Sequence, residues 1–197
     1  MSIQTRHITA VILAGGQGRR MGGQDKGLIE IDGQPIVQIL IEKLRGQAIK
    51  ILINANRNQQ FYQSFGETVV SDQLDNYQGP LAGFASAMDS VDTDFILGLP
   101  CDSPLLVNNY VERFISAQRA SNASICVAHD GDRLQPIHAL IRVDLLDSLH
   151  EFLRSGDRKI DRWYAQHDPT QADFSDCAEM FVNINTPEDQ QRLQEHH

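Results

Sequence analysis

A three-layer α/β/α fold with a mostly parallel sheet is the fold class that the sequence predicts. Short apolar runs rich in β-branched residues alternate with amphipathic stretches, as in a series of βαβ units. The first of these runs, residues 8–13, is apolar almost throughout, which indicates a strand buried on both faces. A chain of 197 residues with 41% hydrophobic content can bury one good core, so we expect a single domain over 1–197.

The individual elements follow from the spacing of apolar residues. Strands are predicted at 9–13, 49–54, 68–71, 94–99 and 124–128. Helices are predicted at 35–44, 81–90, 105–120 and 144–154, where apolar residues recur at helical spacing. The rhythm changes after Val127, where a turn at 129–132 precedes an apolar run at 136–141. We interpret this last part as additional structure on the same domain.

The turn after the first strand carries glycines followed by cationic side chains, in the sequence Leu13-Ala-Gly-Gly-Gln-Gly-Arg-Arg-Met-Gly-Gly-Gln-Asp-Lys26. Glycines permit a sharp turn with exposed N–H groups, and nearby arginine and lysine side chains can reach a bound triphosphate. The dinucleotide pattern fails because Met21 stands where its third glycine should be, and the chain has no Walker Gly-Lys-Ser/Thr. The alternative is a glycine-rich turn with solvated arginines.

Polar residues follow several predicted strands, and in open parallel sheets ligands gather beyond the carboxyl ends of the strands. We therefore expect these strand-end groups to converge on one site. They are Leu13 to Gly18, Asn54 to Asn56, Asp72, Pro100 to Asp102, and Asn183 to Asn185.

Asp102 is the strongest candidate for chemistry, because it ends an apolar strand. One carboxylate can hold Mg²⁺ when water and substrate phosphates complete the octahedron. The alternative is a helix cap, since Asp102 and Ser103 precede Pro104, an acceptable first helical residue.

Three weaker features have equally ordinary explanations. The glycines of 79–83 allow close approach to a ligand, but a loop before a proline-started helix also explains them. Asn54 and Asn56 could read a base edge or could form a turn. Trp163 and Tyr164 could cover an aromatic ring or an anion, or could belong to the packed face of a helix.

Net charge, cysteine spacing and the length of apolar runs restrict the binding partners and the compartment that we expect. The net charge of −9 disfavours DNA or an anionic membrane as the main partner. The three cysteines are widely separated and form no C-x-x-C pair, so the sequence indicates neither a disulfide framework nor a zinc site. This cysteine pattern is consistent with a reducing cytoplasm. No signal-like or membrane-spanning run is visible, so we expect a cytoplasmic protein.

The ordered motifs together resemble the molybdenum cofactor guanylyltransferase family of the Rossmann-like nucleotidyltransferase superfamily. The resemblance runs nearly end to end and rests on the opening motif through Lys26, with Asn54-Ala-Asn-Arg57, Asp72, Gly79-Pro-Leu-Ala-Gly83, Pro100-Cys-Asp102 and Asn183-Ile-Asn-Thr-Pro187. It implies transfer of GMP from GTP to the terminal phosphate of molybdenum-molybdopterin, with release of pyrophosphate.

The resemblance also implies roles for single residues. Arg20, Lys26 and Asp102 would be catalytic, and Asp102 would hold Mg²⁺. Contacts to GTP would come from Leu13, Ala14, Gly15, Gly16, Lys26, Asn54, Asp72, Gly79 and Asp102. Gly83, Asn183 and Asn185 would bind the acceptor, with the rest of the C-terminal half supplying the pterin surface. Other cofactor-biosynthesis proteins and recipient apoenzymes would be partners.

Two rival functions remain open from the sequence. The first is a cytidylyl- or sugar-phosphate nucleotidyltransferase. Cytidylyltransferases for the same cofactor tend to read Leu-Ala-Ala-Gly where this chain has Gly15, and sugar enzymes usually place proline where it has Asp25, so both differences favour guanine. The second rival is a noncatalytic GTP-binding protein in a cofactor-delivery complex. Lys26 and Asp102 argue against it, because a protein that only binds GTP does not need both a cation that contacts phosphate and a carboxylate that holds a metal.

Overall fold

The structure is a computed structural model that describes residues 3–14, 16, 25–47, 49–73, 79–184 and 189. Nine strands lie in this part of the chain: β1 (Ile8–Leu13), β2 (Glu30–Ile31), β3 (Gln34–Pro35), β4 (Lys50–Asn54), β5 (Thr68–Val70), β6 (Phe95–Pro100), β7 (Ile125–His129), β8 (Leu134–Arg142) and β9 (Thr170–Asp173). Its α-helices are α1 (Ile36–Arg45), α2 (Gln59–Gln63), α3 (Pro80–Met88), α4 (Tyr110–Ser121), α5 (Leu146–Arg154) and α6 (Ile160–Tyr164). Short 3₁₀ turns occupy Thr5–His7, Lys26–Leu28, Val143–Leu145 and Ser175–Phe181.

Seven of the strands form one sheet in the order β5-β4-β1-β6-β8-β7-β9, while β2 and β3 form a small hairpin. The pairs β4 with β5, β1 with β4, β1 with β6 and β7 with β9 are parallel. Within this seven-stranded sheet of the described residues, β8 is antiparallel to both of its neighbours, β6 and β7. The sheet is therefore mostly parallel, as predicted, and the five predicted strands are each within one residue of the observed bounds.

Helices cover both faces of the sheet, which confirms the predicted three-layer class. The core on one face takes its helical side chains from α1, α2 and α4, including Leu40, Tyr62 and Phe114. The core on the other face takes them from α3, α5 and α6, including Phe84 and Trp163. No helix in the described ranges is long and apolar enough to cross a membrane.

The predicted helix at 105–120 is wrong at its start, because α4 begins only at Tyr110. Side chains of α1 and of the residues just after it bond the backbone groups that an earlier helix start would need. The Lys43 ammonium donates to the Leu106 carbonyl over 2.9 Å, and the Gln47 amide donates to the Val107 carbonyl over 3.1 Å. The carbonyl of the same Gln47 side chain accepts from the Val111 N–H over 2.8 Å.

Candidate active site

The carboxyl ends of β1, β4 and β6 lie side by side and define the candidate site. Leu13 is in register with Asn54 on one side and with Pro100 on the other. Just beyond the strands, the Ala14 N–H donates to the Asn54 carbonyl over 2.8 Å, and the Cys101 N–H donates to the Leu13 carbonyl over 3.2 Å. These bonds hold the start of the glycine-rich turn beside the end of β6.

Lys26 and Asp102 meet at this edge. The Lys26 ammonium donates to Asp102 Oδ2 over 2.8 Å, and the two side chains are 24% and 10% exposed. The other carboxylate oxygen, Oδ1, is buried and accepts no hydrogen bond from the described residues. Because a buried carboxylate oxygen without a partner is costly, it indicates a position for a ligand such as a cation.

The capping interpretation of Asp102 is not supported by the fold. Residues 101–102 and 104–105 form turns, and the following helix begins at Tyr110, eight residues after Asp102. Neither Asp102 nor Ser103 therefore caps a helix. Burial raises the pKa of the adjacent Cys101 thiol, so this side chain stays neutral and is a poor nucleophile or metal ligand.

Asp72 is held by two asparagines. The Asn54 amide donates to its Oδ1 over 2.9 Å, and the Asn56 amide donates to its Oδ2 over 2.7 Å. The Asn56 side-chain carbonyl accepts in turn from the Asp72 N–H over 2.8 Å. Each amide donates one hydrogen bond to Asp72, and a carboxylate has lone pairs for more than two such bonds.

Gly83 packs directly against this cluster. An added Cβ at that position would lie 2.7 Å from Asn54 Oδ1 and 2.8 Å from Leu13 Cδ2. Gly79 precedes α3 with φ +86, a conformation that residues other than glycine rarely adopt, and Pro80 is the first helical residue. Both explanations given for 79–83 are therefore present: a proline-started helix and a close backbone approach at the site.

Asn183 reaches the same edge from the C-terminal part of the chain. The Ser103 hydroxyl donates to its side-chain carbonyl over 2.6 Å, and the next residue, Ile184, donates its N–H to the Asp102 carbonyl over 2.9 Å. Ser103 is fully buried, whereas Asn183 is exposed. The role of Ser103 was missed because its partner is 80 residues away; a polar residue beside a candidate metal carboxylate was the available signal.

Several predicted site residues lie elsewhere or outside the described residues. Gly15, Arg20 and Asn185 belong to the segments that the structure does not describe, whereas Gly16 is described and exposed. Trp163 and Tyr164 are buried in the core formed by α3, α5 and α6, so the packed-face interpretation is correct for them.

Comparison with known proteins places this geometry in a family. Residues 10–170 match the family described as the MobA-like NTP transferase domain. Molybdenum cofactor guanylyltransferase of Shewanella sediminis is 50% identical over 195 residues, covering 99% of this chain and 98% of the relative. Its counterpart from Shewanella halifaxensis is 49% identical over 191 residues, covering 97% and 96%.

The fold is also shared with a solved structure. Molybdopterin-guanine dinucleotide biosynthesis protein A from Archaeoglobus fulgidus superposes with a TM-score of 0.79 at 19% identity, covering 95% of this chain and 97% of that one. The fold, together with the match to the MobA-like NTP transferase domain, defines a nucleotidyltransferase. On the strength of the full-length relatives, the chain belongs to the molybdenum cofactor guanylyltransferase family.

Proposed function

We propose that this chain transfers GMP from GTP to the terminal phosphate of molybdenum-molybdopterin, releasing pyrophosphate and forming the guanine dinucleotide cofactor. The observation that carries the proposal is the Lys26–Asp102 pair at the carboxyl edge of the sheet, with Asp102 Oδ1 buried and without a partner among the described residues. A phosphate-binding cation beside an oxygen available to a metal is what transfer from a nucleoside triphosphate requires.

The reaction needs positioning and charge stabilisation more than proton transfer. The acceptor phosphate attacks the α-phosphorus in line, and the bond to the pyrophosphate oxygen breaks. Lys26, with Arg20 of the glycine-rich turn, offsets the negative charge that develops on the departing pyrophosphate. No general base is required, because a phosphate with a second pKa of about 6 is already ionised near neutral pH.

Asp102 is the residue that would hold Mg²⁺. Among the described residues, no group of three or more His, Cys, Asp or Glu side chains could hold a metal. A single carboxylate suits Mg²⁺, which keeps several waters and takes other oxygens from substrate phosphates. When bound there, the ion would supply Lewis-acid stabilisation of the phosphate oxygens.

Asp72 is the residue that we propose to select guanine. Its carboxylate is an acceptor held in place by Asn54 and Asn56. Guanine has N–H groups, including its exocyclic amino group, that can donate hydrogen bonds to a carboxylate. The Asn54 backbone and the Leu13–Ala14 segment meet beside this cluster, which favours the same site for the nucleoside.

The acceptor would bind on the side of Asn183, Gly83 and the C-terminal half, with Asn185 as a further contact.

Residues 1–197 would act as one nucleotidyltransferase domain, its N-terminal part binding GTP. A cytoplasmic site of action fits the three cysteines, all of them free thiols. Handover of the product to recipient apoenzymes or other cofactor-biosynthesis proteins is part of the proposal.

The test is a titration of GTP, CTP, ATP and UTP with Mg²⁺, followed by measurement of GMP transfer from α-labelled GTP to purified molybdenum-molybdopterin. We expect GTP to bind best and its label to enter the dinucleotide product. Preference for CTP would redirect the assignment to cytidylyl transfer. GTP binding without transfer would favour the noncatalytic delivery protein.

A further inference from the structure

Asp25, the residue before Lys26, is a buried carboxylate with several partners. It is 6% exposed. The Tyr62 hydroxyl donates to its Oδ1 over 2.7 Å, and the Asn58 amide donates to its Oδ2 over 3.0 Å. The Arg57 guanidinium forms an ion pair with Oδ2 at 3.6 Å. Burial of a charged carboxylate is tolerated when hydrogen bonds and an opposite charge compensate it, as they do here.

All three partners come from one short stretch, 57–62, which follows β4 and includes most of α2. Among the described residues, the side-chain bonds of Asp25 therefore join the segment that carries Lys26 to the segment that follows Asn54. The Tyr62 hydroxyl keeps its proton and stays a donor, since burial, together with the nearby Cys101 and Asp25, raises its pKa.

Gly27, which follows Lys26, also packs closely against Tyr62. An added Cβ on Gly27 would lie 2.6 Å from the Tyr62 hydroxyl oxygen and 3.3 Å from the Cys101 Cβ. The lysine is thus flanked on both sides by residues that contact Tyr62. A lysine side chain is long and flexible, so the fixed position of its backbone determines where the ammonium can reach.

We propose that Asp25 is a positioning residue for the transfer reaction: bound to Tyr62, Asn58 and Arg57, it holds the Lys26 backbone so that the ammonium reaches Asp102 and the triphosphate. This inference rests on the proposed function, because it assigns Asp25 a role through Lys26. It differs from a purely structural role, in which the buried bonds would stabilise the fold and leave turnover of the folded enzyme unchanged.

Two variants test the attachment, and both are compared with a matched control. Tyr62→Phe removes one donor and keeps the ring, and we expect kcat for GMP transfer to fall about tenfold. Asp25→Asn keeps the size but replaces an acceptor with a donor facing Asn58, and we expect a fall of about a hundredfold, the size typical of misplaced catalytic groups. Thr9→Val is the control, since it also removes a buried hydroxyl, bonded to Thr93 over 2.8 Å, but at the amino edge of the sheet.

The decisive measurement is a double-mutant cycle with Lys26→Ala. If Asp25 acts through the lysine, Asp25→Asn should lower kcat by less than about twofold in the Lys26→Ala background. Tyr62→Phe should behave in the same way, and urea unfolding of each variant reports stability separately. Additive losses, or losses of stability with kcat unchanged, would overturn the positioning role. Absence of GMP transfer by the unmodified chain would contradict the proposed function and the positioning role with it.

Discussion

Ser103 donates its hydroxyl proton to the side-chain carbonyl of Asn183 over 2.6 Å. The bond fixes the orientation of an exposed amide by means of a fully buried hydroxyl one residue after Asp102. With the Asn183 carbonyl engaged in this way, we expect its NH₂ group to donate hydrogen bonds to phosphate oxygens of the acceptor.

Ser103→Ala should therefore raise KM for the molybdopterin acceptor several-fold while KM for GTP changes little. The physical reason is that Asn183 loses the bond that orients it, whereas the contacts around Asp72 are untouched. Steady-state kinetics with each substrate varied in turn provides the measurement. Equal effects on both KM values would contradict an acceptor-side role for Asn183.

Asp102→Ala should lower kcat by about a hundredfold or more, as expected for loss of a principal electrostatic stabiliser. It should leave the fold intact, because Asp102 caps no helix. Asp92→Ala is the control, since Asp92 also pairs with a lysine, Lys50, at 2.7 Å but at the other edge of the sheet. Near-normal turnover of folded Asp102→Ala would remove the metal assignment.

Lys26→Ala should weaken GTP binding and slow transfer together, because the ammonium is proposed to contact the phosphates in both the ground state and the transition state. Isothermal titration gives the affinity, and single-turnover kinetics gives the transfer rate. Lys50→Ala serves as the matched lysine substitution. Unchanged affinity and rate in Lys26→Ala would assign Lys26 to structure alone.

Gly83→Ala should reduce GTP affinity by about tenfold or more, since the new methyl group would force Asn54 or Leu13 to move. The displaced Asn54 amide would no longer hold Asp72. Gly46→Ala is the control, because its φ of −60 suits alanine and its Cβ would meet only ordinary contacts at 3.5 Å and beyond. Titration of both variants with GTP measures this effect. Equal affinities would show that the packing of Gly83 against Asn54 and Leu13 does not matter for GTP binding.

His138 should make the fold sensitive to acid. Burial lowers its pKa to about 3 from an ordinary value of 6.5, so the unfolded chain binds more protons than the folded one between these values. The free energy of unfolding should therefore decrease as pH falls through this window, by about 1.4 kcal/mol per pH unit for this group. Above pH 6.5 its contribution should be constant.

Urea unfolding of the unmodified chain and of His138→Phe at pH 7 and pH 5 measures this effect. The variant replaces the imidazole with another aromatic ring that cannot be protonated, and the Tyr110 hydroxyl still has the Gly98 carbonyl as acceptor, at 2.9 Å in the structure. We expect a smaller loss of stability on acidification in the variant. An identical loss in both proteins would show that other groups control it.

The sequence predicted the parallel strands well because buried β-branched runs signal them locally. It did not predict that β8 lies antiparallel between β6 and β7, since pairing of distant strands leaves no local pattern. The five-residue α2 and the two-residue strands β2 and β3 are too short to show periodicity.

For the site too, the sequence predicted the features that depend on local pattern and missed those that depend on distant contacts. The rule on strand ends located Asn54, Asp72 and Asp102 correctly at one edge. It could not find the contacts of Ser103 with Asn183 or of Asp25 with Tyr62, which join residues 80 and 37 positions apart. Such contacts depend on tertiary packing, which spacing along a single chain does not encode.

The bond from the Ile184 N–H to the Asp102 carbonyl spans 82 residues of sequence and ties the C-terminal segment to the centre of the sheet. During synthesis, β1, β4, β5 and β6 can pair long before residue 184 has left the ribosome. Asp102 therefore gains this contact only after the C-terminal part of the chain has been made, which is later than the sequence neighbours of Asp102 are available.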